Sequence, residues 1–323
     1  MVRRIGERQR WVWLAGGSSA AVAACGCGLG WVWVLAGGLI VCLYYIYMET
    51  NLPAVGLTGL LPKWLQVATL IWLVVVMAWS ANLADSAFPM VDGFPTLGWT
   101  MLVLAAWAGW KGASACAGCT GVLCLFLLIL YSIVAVFALP DIRLENLRPY
   151  GVWQNGIRAV GLFLLPAAVW YLPCRKNRKQ AMWIAAVLLL LGSVVLAAVT
   201  AGVLSPLLAA SRPSPVYMLA QSVSLFGVVE RIEPLLSAAM TMGVFCLLSS
   251  MACACRELSQ KSWGGAAACG AAAVLMGVVG RLDISAISAG SIAAFLVVPS
   301  AAVSTRKKDR KKAKKPVDNS GES

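Results

Sequence analysis

The stretch ACAGCTGVLCLFLLILYSIVAVFAL, residues 115–139, contains no charged residue. A helix of this length can cross the hydrocarbon core of a bilayer, which requires about 20 mainly apolar residues. Similar apolar stretches recur along the chain, and only 12% of its 323 residues are charged. A soluble domain carries roughly 25% charged residues. The sequence therefore predicts an all-α integral membrane protein whose surface faces lipid.

The apolar stretches predict about ten transmembrane spans. They lie at residues 11–28, 31–48, 64–84, 96–110, 115–139, 152–172, 181–204, 233–254, 264–280 and 284–303. The first, fourth and ninth are close to or below the lower limit of about 17 residues for a span.

The basic residues indicate the orientation of the chain. The formal net charge is +13, and Lys and Arg collect in the first ten residues, at 175–179 and at 306–315. These segments are cytoplasmic if both termini are inside, and cytoplasmic loops of membrane proteins are basic. This favours membrane topology over nucleic-acid binding as the reason for the charge. We predict a basic cytoplasmic N-terminus (1–10), a polytopic membrane domain (11–303) and a disordered basic cytoplasmic tail (304–323) attracted to anionic lipid.

The residues that could carry catalysis or bind a metal are few. The chain has eleven cysteines and no histidine, and the pair Cys116 and Cys119 has no second CxxC pair at zinc-site spacing. Cysteines among Gly and Ala behave as small apolar side chains. We found no general base and no glycine-rich phosphate-binding loop, so the sequence predicts no metal site, no cofactor and no enzymatic activity.

Two glycines and two serines interrupt the first span, at Gly16, Gly17, Ser18 and Ser19. A broken helix there would free backbone amides and carbonyls to hold the carboxylate or ammonium of a ligand. The alternative is that small residues let a neighbouring helix approach closely. The sequence alone does not separate these two interpretations.

The sixth span is interrupted by Gly161 and Pro166. Proline removes one helical hydrogen bond and leaves a carbonyl free near Leu162. Spans 1 and 6 hold corresponding positions if ten spans form two inverted halves, and paired interrupted helices indicate a transporter-like site. The alternative is an ordinary proline kink, which membrane helices tolerate.

Three ionisable residues, Glu230, Arg231 and Glu233, lie where the eighth span begins. If they are buried they must be paired, and they would then form a structural or gating contact. The alternative is an exposed helix end, where Glu in the first turn is favoured by the helix dipole. We favour the structural interpretation.

Several short motifs follow one another between about residues 139 and 256. They are LPD at 139–141, NLRP at 146–149, PVY at 215–217, and FG followed by the ERIE box at 226–233. In their order and spacing the chain resembles the spore-germination permease family, the B subunits of nutrient germinant receptors, within the amino acid–polyamine–organocation transporter superfamily. The resemblance implies two inverted five-helix repeats. It is imperfect in the first span, where Gly17-Ser18-Ser19 stands in for a Gly-Ser-Gly-like break and the following half is short. Relative to this family we therefore expect a shortened first span.

The resemblance also implies a function. We expect a membrane subunit that senses a small nutrient such as an amino acid, in the inner membrane of a spore, with A-type and C-type receptor subunits as partners. The ligand would lie between spans 1, 3, 6 and 8. The candidate ligand-binding residues are Gly16, Gly17, Ser18, Ser19, Asn82, Phe163, Leu165 and Pro166. The alternatives are an amino-acid secondary transporter of the same fold and a degenerate homologue that acts as a membrane scaffold.

Overall fold

The structure, a computed structural model, describes residues 5–52, 56–87, 96–175, 180–211, 215–222 and 233–313. Helices dominate these segments. They are α1 (Glu7–Cys25), α2 (Trp31–Asn51), α3 (Lys63–Ala87), α4 (Thr96–Lys111), α5 (Ala113–Ala138), α6 (Gln154–Leu164), α7 (Gln180–Leu204), α8 (Pro206–Ser211), α9 (Pro215–Ser222), α10 (Glu233–Ser259), α11 (Gly264–Val279), α12 (Ile284–Ile292) and α13 (Val298–Ala313).

Shorter elements join or extend these helices. Tight 3-10 turns occupy Gly26–Leu29, Leu139–Asp141, Leu144–Leu147 and Leu165–Tyr171, and a π turn at Ala293–Val297 connects α12 to α13. Two short strands, β1 (Ile5–Gly6) and β2 (Cys174–Arg175), pair in parallel, with Ile5 opposite Cys174. The start of the chain is thus tied to the segment that follows α6.

Within the described residues, six helical segments are long and apolar enough to cross a membrane. They are Gln9–Leu29, Trp31–Asn51, Lys63–Asp85, Ala113–Asp141, Ser237–Ser259 and Ile284–Arg306. Large apolar side chains, such as those of α5, are exposed on the outside of the bundle, where hydrocarbon rather than water suits them. The chain is therefore an all-α, multi-pass membrane protein, and each of the ten predicted spans contains a helical element.

The first span extends slightly beyond the predicted residues 11–28. It covers 21 residues, Gln9–Leu29, and its α-helix ends at Cys25. Residues 16–19 do not break the helix, because α1 continues as α-helix to Cys25 and the chain tightens only at Gly26–Leu29. The span was underestimated because Arg10, used to mark its cytoplasmic edge, is in fact buried.

The last helix continues into the predicted basic tail. Residues 304–313, where that tail begins, belong to α13. Lys and Arg are good helix formers, and positive charge is favourable at a helix C-terminus. Residues 314–323 lie outside the described residues.

The helices pack in two connected groups. In one, α10 packs on α3, α4 and α11, while α11 also packs on α3 and α4. In the other, α2 packs on α6 and α7, and α12 packs on α6. Helix α1 connects the groups, because it packs on α5, α7, α10 and the Leu165–Tyr171 turn.

One end of the bundle can be defined by its apolar contacts. Ile5 belongs to a cluster of buried residues with Ala108, Cys116, Cys174 and Cys253. The end of α4, the start of α5, strand β2 and the C-terminal part of α10 therefore lie at the same end of the molecule as the start of the chain. We call this end the N-terminal face.

Helix α12 runs beside α6 in the same direction. Near the start of both helices, Arg158 Nε donates to Ser285 Oγ at 2.8 Å, and Ser288 Oγ donates to the Arg158 carbonyl at 3.2 Å. Further along, Tyr171 donates its hydroxyl to the Ala294 carbonyl at 3.1 Å. Residues further along the chain from α6 bond to residues further along from α12, so the two segments run in parallel. Helices α12 and α13 therefore run towards the same end of the bundle as the Leu165–Tyr171 turn.

Candidate functional site at the α1–α6 junction

The two glycines of the first span are close-packing residues in this structure. A Cβ atom built on Gly17 would lie 2.7 Å from the Cβ of Pro166, and one built on Gly16 would collide with Cys124 Sγ of α5. Real side chains do not approach so closely, so glycine is what allows α1 to touch both neighbours. Of the two interpretations of these glycines, the geometry favours close packing.

The carbonyl of Phe163 is the polar centre of the junction. Ser18 Oγ of α1 donates to it at 3.2 Å, and the Tyr45 hydroxyl of α2 donates to it at 2.5 Å. Pro166 has no N–H to continue the α-helical ladder, and the chain tightens so that the Leu165 N–H bonds to the Leu162 carbonyl. The sequence placed the freed carbonyl near Leu162. In the structure, the carbonyl that accepts hydrogen bonds from side chains of two other helices is one residue further on, at Phe163.

These groups are enclosed by the protein. Ser18, Tyr45, Phe163 and Leu165 are fully buried, and Pro166 is buried beside them. Ser19 instead donates to the carbonyl of Ala15, within its own helix, at 2.5 Å. Hydrogen bonds enclosed in this way each contribute about 1 kcal/mol to stability. The junction is a buried, hydrogen-bonded contact between α1, α2 and α6.

Asn82 takes part in a different contact. Asn82 Nδ2 donates to the carbonyls of Ala78 at 2.9 Å and Met276 at 3.2 Å, and so ties α3 to α11. Glu230 and Arg231 lie outside the described residues, as does the side chain of Glu233, which begins α10.

A buried ion pair beside the junction was missed by the sequence analysis. Arg10 Nη1 lies 3.3 Å from Glu49 Oε2, and Arg10 Nη2 donates to the Leu172 carbonyl at 3.2 Å. The guanidinium also lies 5.0 Å from the centroid of the Trp170 ring. Arg10 is 2% exposed and Glu49 is 6% exposed. The ends of α1, α2 and the 3-10 turn after α6 are thus held together by charge.

Aromatic rings connect the ion pair to the Phe163 carbonyl. The ring of Tyr45 packs edge-on against Trp170 at 5.8 Å and against Trp11 at 6.3 Å between centroids. Tyr45 therefore contacts the ring below Arg10 while its hydroxyl bonds to Phe163. An acidic residue at the end of an apolar span, together with a base at the start of another, was the sequence signal available for this arrangement.

Metal binding has no support among the residues that the structure describes. No group of three or more metal-ligating side chains is arranged there to hold a metal ion. Comparison with known proteins gives no matching family model and no matching curated protein.

Proposed function

We propose that this chain is the B-type membrane subunit of a nutrient germinant receptor, which senses an amino acid in the inner membrane of a spore with A-type and C-type subunits. The observation that carries this proposal is the Phe163 carbonyl, which accepts hydrogen bonds from two other helices. A ligand ammonium that took this acceptor would release Ser18 and Tyr45. Binding would then favour a different arrangement of α1, α2 and α6, as signalling requires.

The packing of the helices supports a fold of ten spans in two inverted five-helix repeats. In such a fold α1 to α5 correspond to α6, α7, α10, α11 and α12. Exchanging each helix for its counterpart turns the contact between α2 and α6 into the contact between α7 and α1. It also turns the contact between α3 and α11 into the contact between α10 and α4. All four contacts are present. Likewise α1 packs on α5 as α6 packs on α12. Reciprocal contacts of this kind are expected for inverted repeats, whose ligand lies at their interface.

The cytoplasmic position of both termini is part of the proposal. Ile5 lies at the N-terminal face, and α13 heads towards the same face beside the 3-10 turn that follows α6. The basic segments at 1–10, 175–179 and 306–315 would then share one side of the membrane. Basic loops face the cytoplasm in most membrane proteins.

A substitution at Gly17 tests the proposal. We expect Gly17→Leu to abolish the response of spores to a nutrient amino acid, because the larger side chain separates α1 from Pro166. The control is Gly192→Leu, since a Cβ at Gly192 meets no atom within 4 Å. Both proteins should insert in the membrane, as checked by their amounts in membrane fractions. A normal nutrient response in Gly17→Leu would contradict the proposed site.

An amino-acid secondary transporter is the second candidate, and Glu49 is the observation that favours it. This carboxylate is buried at the end of α2 and paired with Arg10, and ionisable residues inside a membrane domain often mark ion pathways. Uptake of a labelled amino acid into proteoliposomes, lost in Glu49→Gln, would favour transport. A nutrient response without uptake would favour sensing, and the absence of both would favour a scaffold.

A further inference from the structure

Two lysines at the N-terminal face lie over exposed indole rings. Lys111 Nζ lies 5.6 Å from the ring centroid of Trp107, and Lys261 Nζ lies 4.9 Å from that of Trp263. Both lysines are exposed, and the tryptophans are 62% and 56% exposed. Such contacts are weak at exposed sites, so they position the ammonium groups without neutralising them.

The two pairs belong to one surface because α4 and α11 converge on the same residue of α10. A Cβ on Gly109 would lie 3.1 Å from the Cβ of Ala252, and one on Gly265 would lie 2.5 Å from the Ala252 carbonyl oxygen. Lys111 follows Gly109 by two residues, and Trp263 precedes Gly265 by two. The pairs therefore flank the last turns of α10, at the N-terminal face.

A third cation lies between them. Arg256 of α10 donates through Nη1 to the carbonyls of Gly109 at 3.0 Å and Trp110 at 2.8 Å, which fixes its guanidinium at the end of α4. The neighbouring acid on α10 is Glu257, which is half-buried. Three bases and one carboxylate leave this surface with a net charge of about +2. We call the residues Trp107, Lys111, Arg256, Lys261 and Trp263 the basic–aromatic surface.

We propose that the basic–aromatic surface binds the headgroup of an anionic phospholipid in the leaflet at the N-terminal face. The surface lies where α4 ends and α11 begins, so its indoles reach the boundary between hydrocarbon and water that tryptophan prefers. The ammonium groups would bind the lipid phosphate. Each would contribute about as much binding free energy as other Lys or Arg residues close to an anionic membrane surface. Exposed indoles at the end of a membrane helix favour a lipid over an acidic protein segment. The inference does not depend on the proposed sensing function.

The test measures which lipids stay bound to the purified protein. The protein is reconstituted in mixed phosphatidylglycerol and phosphatidylcholine, and bound lipids are counted by native mass spectrometry. We expect enrichment of phosphatidylglycerol in the wild type and a loss of roughly 5- to 30-fold in selectivity in K111Q/K261Q, from the removal of two bases. The control R306Q/K307Q removes two bases from α13 but leaves six of the eight between residues 306 and 315, so it should keep most of the enrichment.

Each other outcome counts against the site. Unchanged selectivity in K111Q/K261Q would overturn the proposal, and an equal loss in the control would show attraction to charge in general. Removal of the enrichment by excess inorganic phosphate would indicate a site for a free anion instead of a lipid. If K111Q/K261Q fails to fold, the single variants and Trp263→Phe, which keeps an aromatic ring, carry the same test.

Discussion

At the scale of single residues, the buried Arg10–Glu49 pair is costly to disturb. Removing one partner of a buried ion pair leaves an uncompensated charge and typically costs about 3–5 kcal/mol. We therefore expect Arg10→Met and Glu49→Leu each to lower the stability of the purified protein by about 3 kcal/mol or more. The double variant should lose much less than the sum, as measured by a double-mutant cycle in detergent unfolding.

Additive effects in this double-mutant cycle would contradict the ion pair. If the two effects add within about 0.5 kcal/mol, the side chains do not interact and the ion pair is not formed. Arg306→Gln is the matched control, because Arg306 lies at the end of the last apolar span and is only partly buried.

The Phe163 carbonyl gives a second prediction at this scale. Tyr45→Phe and Ser18→Ala each leave one donor in place, so each should cost about 1 kcal/mol. The double variant leaves a buried carbonyl without either side-chain donor, and we expect a further loss of about 1–3 kcal/mol beyond additivity. Ser19→Ala should have little effect, because Ser19 bonds within its own helix. Strict additivity in thermal unfolding would contradict the shared acceptor.

At the scale of elements, Gly161 decides how closely α6 approaches α12. A Cβ there would collide with Ser288, so Gly161→Ala should destabilise the protein although alanine is the better helix former by about 1 kcal/mol. Gly277 of α11 is the control, because a Cβ there meets no atom within 4 Å. Melting temperatures should fall for Gly161→Ala and stay level or rise for Gly277→Ala. The same sign for both variants would count against the close contact.

The start of α12 gives a prediction about pH. Asp283 precedes this helix, and its hydrogen bond with Ser285, together with Arg158 at 3.5 Å, lowers the pKa of its carboxyl. A lowered folded-state pKa stabilises the protein above the unfolded pKa, and this contribution is lost as pH falls through the folded value. Asp283→Asn should thus be slightly destabilising at neutral pH, by less than about 1 kcal/mol because the side chain is exposed. The difference between the variant and the wild type should vanish in acid.

The interrupted spans show what sequence can predict about an element. Pro166 lacks an N–H wherever it lies, so a disturbance of the sixth span followed from the residue alone. The glycines of α1 carry no such requirement. Whether Gly17 breaks the helix or lets it approach a neighbour depends on Pro166, which is 149 residues away in sequence. The sequence therefore indicated that residues 16–19 and Pro166 interrupt apolar spans, but not that Gly17 packs against Pro166.

At the scale of the whole molecule, the lipid environment is the reason that the composition predicts the fold class. Backbone groups in lipid must bond within their own segment, so an apolar stretch of sufficient length predicts a helix. The same reasoning failed at Arg10, because hydropathy assigns a charge to the aqueous phase and cannot detect its buried partner on α2. Lys111 and Lys261 illustrate the same limit, since their common surface exists only because α4 and α11 both meet Ala252.

The last prediction concerns topology, on which the inverted repeat depends. Residue 5 lies at the N-terminal face, α6 leads towards that face, and α12 and α13 run alongside in the same direction. The Leu144–Leu147 turn lies between α5, which leaves the N-terminal face, and α6, which returns to it. We expect protease to remove tags at both termini in inverted vesicles only, and a tag beside Glu145 in right-side-out vesicles only. Termini found on opposite faces would require an odd number of spans, and two five-helix halves could not then be related by an inverted repeat.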